Sequence, residues 1–196
     1  MTASLLNSWQ RAMDPESVGN EFQDFLMDLG RETRPTGPAA QAGIDFEDMV
    51  YRASRGEYNT EFKSEKDLAA AISFGHKLTG AAYQVRAEKL VRLNGLDINL
   101  VGVADFIRAG KITDIKRVMR YEYGKYQFSA QHPMYLELWP EATRFDYLIW
   151  DGSFAYQETY RRQDCESILV IARRFLDFLE GADLMRTYMD KWEEKA

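Results

Sequence analysis

The strongest constraint on the fold is a change of hydrophobic period at Ala82. From there Tyr83, Val85, Ala87, Val91 and Leu93 alternate with Gln84, Arg86, Glu88 and Arg92. That is the period-two pattern of a strand with one face on a core. Asn94-Gly95 follows, a pair that accepts the left-handed backbone of a tight hairpin turn. A second strand is expected over Leu96 to Ile107. If Arg108-Ala109-Gly110 closes another hairpin, a third runs from Lys111 to Met119.

Helical patterns flank these strands. Phe22, Phe25, Leu26 and Leu29 recur at helical spacing and stop near Gly30. Arg34-Pro35-Thr36-Gly37-Pro38 then breaks the chain, setting a helical N-terminal extension and linker, 1–38, apart from a main domain, 39–196. Ala39 to Ser54 reads as a helix with Ile44, Met49 and Val50 on its apolar side, and Glu47 and Tyr51 adjacent on one face. Ser64-Glu65-Lys66-Asp67 resembles a capping box opening the next helix. Beyond the strands, a helix from about Ser129 ends at Trp139-Pro140. Arg144–Trp150 and Phe154–Tyr160 form a hairpin across Asp151-Gly152, and a long amphipathic helix capped by Asp164 runs through Ile168, Ile171, Phe175 and Phe178.

Composition narrows the class. At 196 residues, with 45% apolar and 29% charged residues, the chain suits one well-cored globular domain. No apolar run approaches the roughly 18 residues of a membrane span, and Met1 to Gln10 carries no signal-peptide pattern. The single cysteine, Cys165, excludes an internal disulfide and a four-cysteine iron–sulfur cluster. It fits a reducing cytoplasm, of a bacterium or a phage-infected host. No Walker A sequence marks a motor. A net charge of −6 runs against a general nucleic-acid footprint, but the charge is uneven. Lys111, Lys116, Arg117, Arg120 and Lys125 face only Asp114 and Glu122 between Gly110 and Gln131, while the acidic excess lies in Asp14 to Glu32 and Asp190 to Glu194.

Chemistry concentrates in one run: Gly102-Val-Ala-Asp105, then Asp114-Ile-Lys116, then Gln131-His-Pro-Met-Tyr135. Asp114 and Lys116, two apart, share a strand face. Across the hairpin, Asp105 can converge with them. Two carboxylates beside a lysine suit divalent-metal hydrolysis of a phosphodiester. Asp105 follows Leu100-Val101-Gly102-Val103-Ala104, a buried strand where an unpaired charge is costly. Gln131 and Tyr135 share a helix face, and Pro133 is tolerated in a first turn. The bland readings are a strand-end aspartate paired with an arginine, a Lys116–Asp114 ion pair without chemistry, and Tyr135 as a core aromatic. His76 reads as a helix end, His132 as pointing away from the Gln131/Tyr135 face, and Cys165 as packed.

Taken in order, Gly-x-x-Asp, Asp-x-Lys and Gln-x-x-x-Tyr resemble the PD-(D/E)XK nuclease superfamily, and within it the RecB-like and phage-exonuclease branch. Ala42 to Val50 is similar to the first core helix of such nucleases, with Glu47 at the position that commonly supplies a glutamate. The resemblance spans roughly Gly43 to Tyr160. It implies an α/β restriction-endonuclease-like core, a mixed central sheet flanked by helices. It implies Mg²⁺ or Mn²⁺ held by Asp105, Asp114, the Ile115 backbone carbonyl and Glu47, with Lys116 positioning or helping to deprotonate the attacking water. Gln131 and Tyr135 would face the cleft, and Arg117, Arg120 and Lys125 would contact substrate. The activity implied is a deoxyribonuclease, an exonuclease acting on DNA in recombination or repair beside a single-strand annealing protein or a helicase. The alternatives are a non-catalytic DNA- or protein-binding module that keeps the fold, a structure-specific endonuclease, or hydrolysis of another phosphate ester.

Overall fold

The computed structural model of the chain describes residues 1–17, 19–58 and 64–192. Glu193 and Glu194 of the acidic C-terminal run therefore lie outside the described residues. Four helices come first: α1 (Ala3–Ala12), α2 (Glu21–Leu29), α3 (Pro38–Ser54) and α4 (Glu65–Leu78). Three strands follow, β1 (Ala82–Leu93), β2 (Leu96–Arg108) and β3 (Lys111–Arg117), then α5 (Gln131–Leu138). β4 (Arg144–Trp150), β5 (Ala155–Arg161), α6 (Ile168–Gly181) and α7 (Met185–Trp192) complete the order.

The five strands form one sheet in sequence order, antiparallel except for the parallel pair β3 and β4. A parallel neighbour needs a crossover, and α5 lies within it. Both hairpin turns take left-handed backbone: Asn94 and Gly95, with φ of 50° and 80°, accept it readily, whereas at Ala109 and Gly110, with 48° and 73°, the alanine does so at a cost. β4 reads almost entirely buried because helices cover the sheet on both sides. On one face α3 and α4 pack Phe46, Val50, Ala71 and Phe74 against Phe106, Ile115, Leu148 and Trp150. On the other, α1, α2, α5 and α6 pack Leu5, Leu6, Phe25, Met134 and Phe175 against Leu100, Ile112, Phe145 and Ile149.

The N-terminal residues are thus helical, and their side chains belong to the same core as the sheet. Met1 is buried as well: its nitrogen donates to the Asn99 carbonyl at 2.6 Å, and Val101 N–H donates to the Met1 carbonyl at 2.9 Å. Three local expectations change. Ile44 is exposed, the inner face of α3 being Phe46, Met49, Val50 and Ala53. α6 is capped by Ser167, whose hydroxyl accepts from Leu169 N–H, and Asp164 ends a separate 3-10 turn. The alternation in β1 also slips. Val85 and Ala87 belong to the α5 side, Tyr83 to the α3 side, although residues two apart in a regular strand share a face. The same slip separates Ala104 from Phe106 on β2.

α3 and α4 meet at Gly75, where a Cβ would lie 2.7 Å from backbone atoms of Ala53 and Ser54. Alanine in a helix interior gains about 1 kcal/mol over glycine. Forcing the helices apart costs about 1–3 kcal/mol, and backbone cannot yield as a side chain can. With the cost at the upper end of that range, Gly75→Ala is expected to lower unfolding stability by up to about 2 kcal/mol in urea titration. An equal or higher midpoint would refute this packing.

Candidate active site

The site lies where β2 leaves β3. Their ladder pairs Arg108 with Lys111, Ile107 with Ile112 and Phe106 with Thr113, and stops there. The next residues on each strand are Asp105 and Asp114. Asp105 takes over from the missing ladder: its Oδ2 accepts the Ile115 N–H at 2.9 Å. Opposite Asp105 on β1, Gln84 holds a left-handed φ of 48°, a conformation costly for a non-glycine residue in a strand. Asp105 thus stands at the slip in both strands and feels the charges of Asp114 and Lys116 and of Glu47.

From the α5 face come Asp114 and Lys116. Asp114 is buried, with Lys116 Nζ 2.7 Å from its Oδ2, and Gln131 Nε2 donates to its Oδ1. Tyr135, one turn along α5, is buried and donates its hydroxyl to the Val103 carbonyl at 2.8 Å. Its ring lies against Gly102, where a Cβ would sit 2.6 Å from Tyr135 Cε1. Glycine in the Gly-x-x-Asp motif is therefore a packing requirement, and Tyr135 is a positioning residue that holds β2 beside α5.

From the α3 face comes Glu47. Its carboxylate accepts from the Tyr83 hydroxyl at 3.0 Å and from Gln84 Nε2 at 3.3 Å. Tyr51 stacks on Tyr83 with ring centroids 3.9 Å apart. Glu47 contributes its charge to Asp105, while its Oε1 is held by Tyr83 and Gln84 of β1. Among the described residues no three carboxylate, histidine or cysteine side chains stand together as a ready metal cluster.

The charges are arranged against their own comfort. Burial, then the negative charges of Asp114 and Glu47, hold the Asp105 carboxyl well above the usual carboxylate range; the Ile115 N–H and Lys116 pull it back only partly. Burial alone would lower the Lys116 pKa, but the carboxylates of Asp114 and then Asp105 outweigh it, and the ammonium is held above its ordinary value. Lys116 is therefore a fixed positive charge and a poor base. Burial pushes His132 down to about 4. This neutral ring stacks on Tyr160 at 4.0 Å and faces the Tyr147 hydroxyl, so it is a core group. Burial pushes the Cys165 thiol up to about 11.

The basic residues separate. Arg117 sits on the α4 side, donating to the Val118 carbonyl at 2.7 Å with Asp67 at 3.6 Å. Arg120 is exposed and paired with Glu122 at 3.1 Å. Only Lys125 joins Lys116 and Gln131 around a cavity. Two cations that the motif does not single out as substrate contacts, Arg11 of α1 and Arg86 of β1, line an adjoining cleft of about 580 Å³ with Lys116, Gln131 and Tyr135. Nothing in the motif spacing points to Arg11, more than ninety residues upstream of Asp105.

No family model matches the chain, and no curated protein matches it. The fold is similar to a crystal structure of SSO0001, with a TM-score of 0.59 and 14% identity over 92% of this chain and 75% of that one. At that identity the likeness bears on the fold alone.

The raised Asp105 carboxyl has a signed consequence. Its folded-state pKa lies above the unfolded value of about 3.9, so the native state holds the proton longer and stability falls as pH rises through that range. In chelator, Asp105→Asn is expected to raise the thermal midpoint by a few degrees at neutral pH, the gain vanishing near pH 3. An asparagine variant no more stable than the parent at pH 7 would exclude this electrostatic strain.

Proposed function

We propose that this chain is a divalent-metal-dependent deoxyribonuclease with a restriction-endonuclease-like core, of the RecB-like and phage-exonuclease kind. The observation that carries the reading is the convergence of Asp105, Asp114, Lys116 and Gln131 at the gap between β2 and β3. Sheet order supports it: a helix, three antiparallel strands, a crossover helix and a parallel fourth strand are what such a core requires.

The donor set fits a hard divalent cation. Mg²⁺ is commonly held by one or two carboxylates and keeps several waters. Asp105 and Asp114 would supply the carboxylates. A strand residue directs its N–H and C=O to the same edge, so with its N–H on Asp105, Ile115 turns its carbonyl toward the same gap. Glu47 would serve through water or after leaving Tyr83. A metal there would polarise a phosphodiester oxygen and acidify a bound water. Burial raises the Asp105 carboxyl most; the repulsion from Asp114 and Glu47 that adds to it is what a dication would relieve.

The chain's own groups divide the remaining work. Gln131 fixes Asp114 by donating to one oxygen, leaving the other to Lys116. The Lys116 ammonium, held above its ordinary pKa by Asp114 and Asp105, would stabilise negative charge developing on the phosphoryl oxygens and orient the attacking water. Tyr135 and Gly102 keep β2 at the distance this geometry requires.

Linear duplex and single-stranded DNA are expected to be shortened from an end in Mn²⁺ or Mg²⁺ and to survive intact in EDTA, with closed circular DNA resistant. Asp114→Asn and Lys116→Ala should each lose roughly 100-fold or more in rate. Gln131→Ala, which removes only the orienting partner, should lose about 10–100-fold. Metal-independent cleavage, or full activity in Asp114→Asn, would sink the nuclease reading.

A further inference from the structure

The cleft beside Gly102 and the cavity around Lys125 are two lobes of one slot. Asn7, Arg11, Lys116 and Gln131 line both. The second lobe, about 490 Å³, is walled by Gln10 and Asp14 of α1 on one side and by Lys125, Tyr126 and Phe128 on the other. Asn7 ties the walls together, donating to Ser129 Oγ at 3.2 Å and accepting the Ala130 N–H at 2.7 Å. At Asn7 the helix and the loop are one side chain apart, a far narrower gap than a double helix, whose major groove alone is about 12 Å wide.

Its charge runs against the rest of the molecule. On a chain of net charge −6, the slot presents Arg11, Arg86, Lys116 and Lys125. Lys116 is engaged by Asp114 and Arg86 by Glu88. Arg11 and Lys125 have no ion-pair partner among the described residues. The two acids on the walls are occupied: Asp28 by Ser8 at 2.6 Å and by Arg34, Asp14 by the Glu16 N–H at 3.0 Å. Phe128 is 81% exposed at the rim, where a large apolar ring is left in water.

We infer that this slot seats one nucleic-acid strand across Lys116, with Arg11 and Lys125 on its phosphates and Phe128 stacked on a base. Cations that track a backbone, together with an aromatic face that accepts any base, are the means by which single strands are held without sequence preference. The inference rests on the nuclease reading of the same site and deepens it: the strand that is cut is held apart from its complement, so a linear duplex is attacked from an end where its strands have parted.

The test is equilibrium binding in EDTA, so that no cleavage is required. The probes are a fluorescein-labelled oligothymidylate, an oligouridylate and a hairpin duplex, read by anisotropy over a salt series. Single strands are expected to bind more tightly than the duplex, and the two single-stranded probes tell DNA from RNA. Arg11→Ala and Lys125→Ala should each reduce the slope of log affinity against log salt by about 0.7. Phe128→Ala should weaken binding roughly five-fold or more with the slope unchanged. All three side chains are exposed, and unchanged thermal midpoints confirm folding. Failure of wild type to bind a single strand, duplex binding of equal strength, or unchanged slopes in both cation variants would each overturn the inference. Binding as described with no cleavage in Mn²⁺ would sink the nuclease reading and keep the strand slot. Cleavage with unaltered affinity in all three variants would do the reverse.

Discussion

Everything at this site depends on one hydrogen bond that is not part of the sheet. A strand leaving its neighbour strands backbone donors and acceptors, and a buried one without a partner is costly. Here the Asp105 carboxylate accepts the Ile115 N–H just beyond the last ladder pair, Phe106 with Thr113. Further along the same edge of β2, Met1 exchanges bonds with Asn99 and Val101. β2 is therefore held on that side by three different devices in turn: strand, side chain and chain terminus. The gap they leave is where carboxylates can gather without being closed over by backbone.

The gap is electrostatically expensive, and its surroundings are built to hold it open. Asp105 and Asp114 repel each other, and Lys116 relieves Asp114 more directly than it relieves Asp105. Hydrophobic packing resists the strain. Tyr135 and Leu138 press on Gly102, while Tyr83, stacked on Tyr51, anchors β1 from the opposite face. A group retained at such a cost to the folded state is characteristic of sites kept for chemistry.

The strands, their turns and the order of helices were legible in the sequence because they follow from local rules. Period two, Asn94-Gly95, and Ser64 before Asp67 each act within a few residues. Asp105, Asp114, Lys116 and Gln131 stood out by another route, their resemblance to a known nuclease motif. The slip at Gln84 and Asp105 was not legible, because apolar residues lie on both sides of it and alternation alone does not say which face each one enters. Ile44 looked apolar enough to be inside, yet Phe46 holds the inner position and leaves Ile44 to solvent. Asp164 offered a good cap, and Ser167 three residues later took the role. The basic residues were the hardest to place, since charge in sequence carries no direction. Arg117 and Lys125 came from one basic run and lie on opposite sides of the sheet.

The N-terminal residues show why a proline-marked break need not divide a molecule. Pro35 and Pro38 interrupt the chain, but β2 has an edge that β3 no longer covers, and Met1 and Thr2 occupy it. That pairing fixes where α1 begins. The apolar stripe of α1, Leu5, Leu6 and Trp9, then turns into the core. An amphipathic helix seated by one face must present the other, and what α1 presents beside Lys116 is Asn7 and Arg11. The repair of an unpaired strand edge thereby supplies one wall of the slot. A chain lacking this segment would expose the β2 edge as well as lose the slot, so fold and site here share a single support.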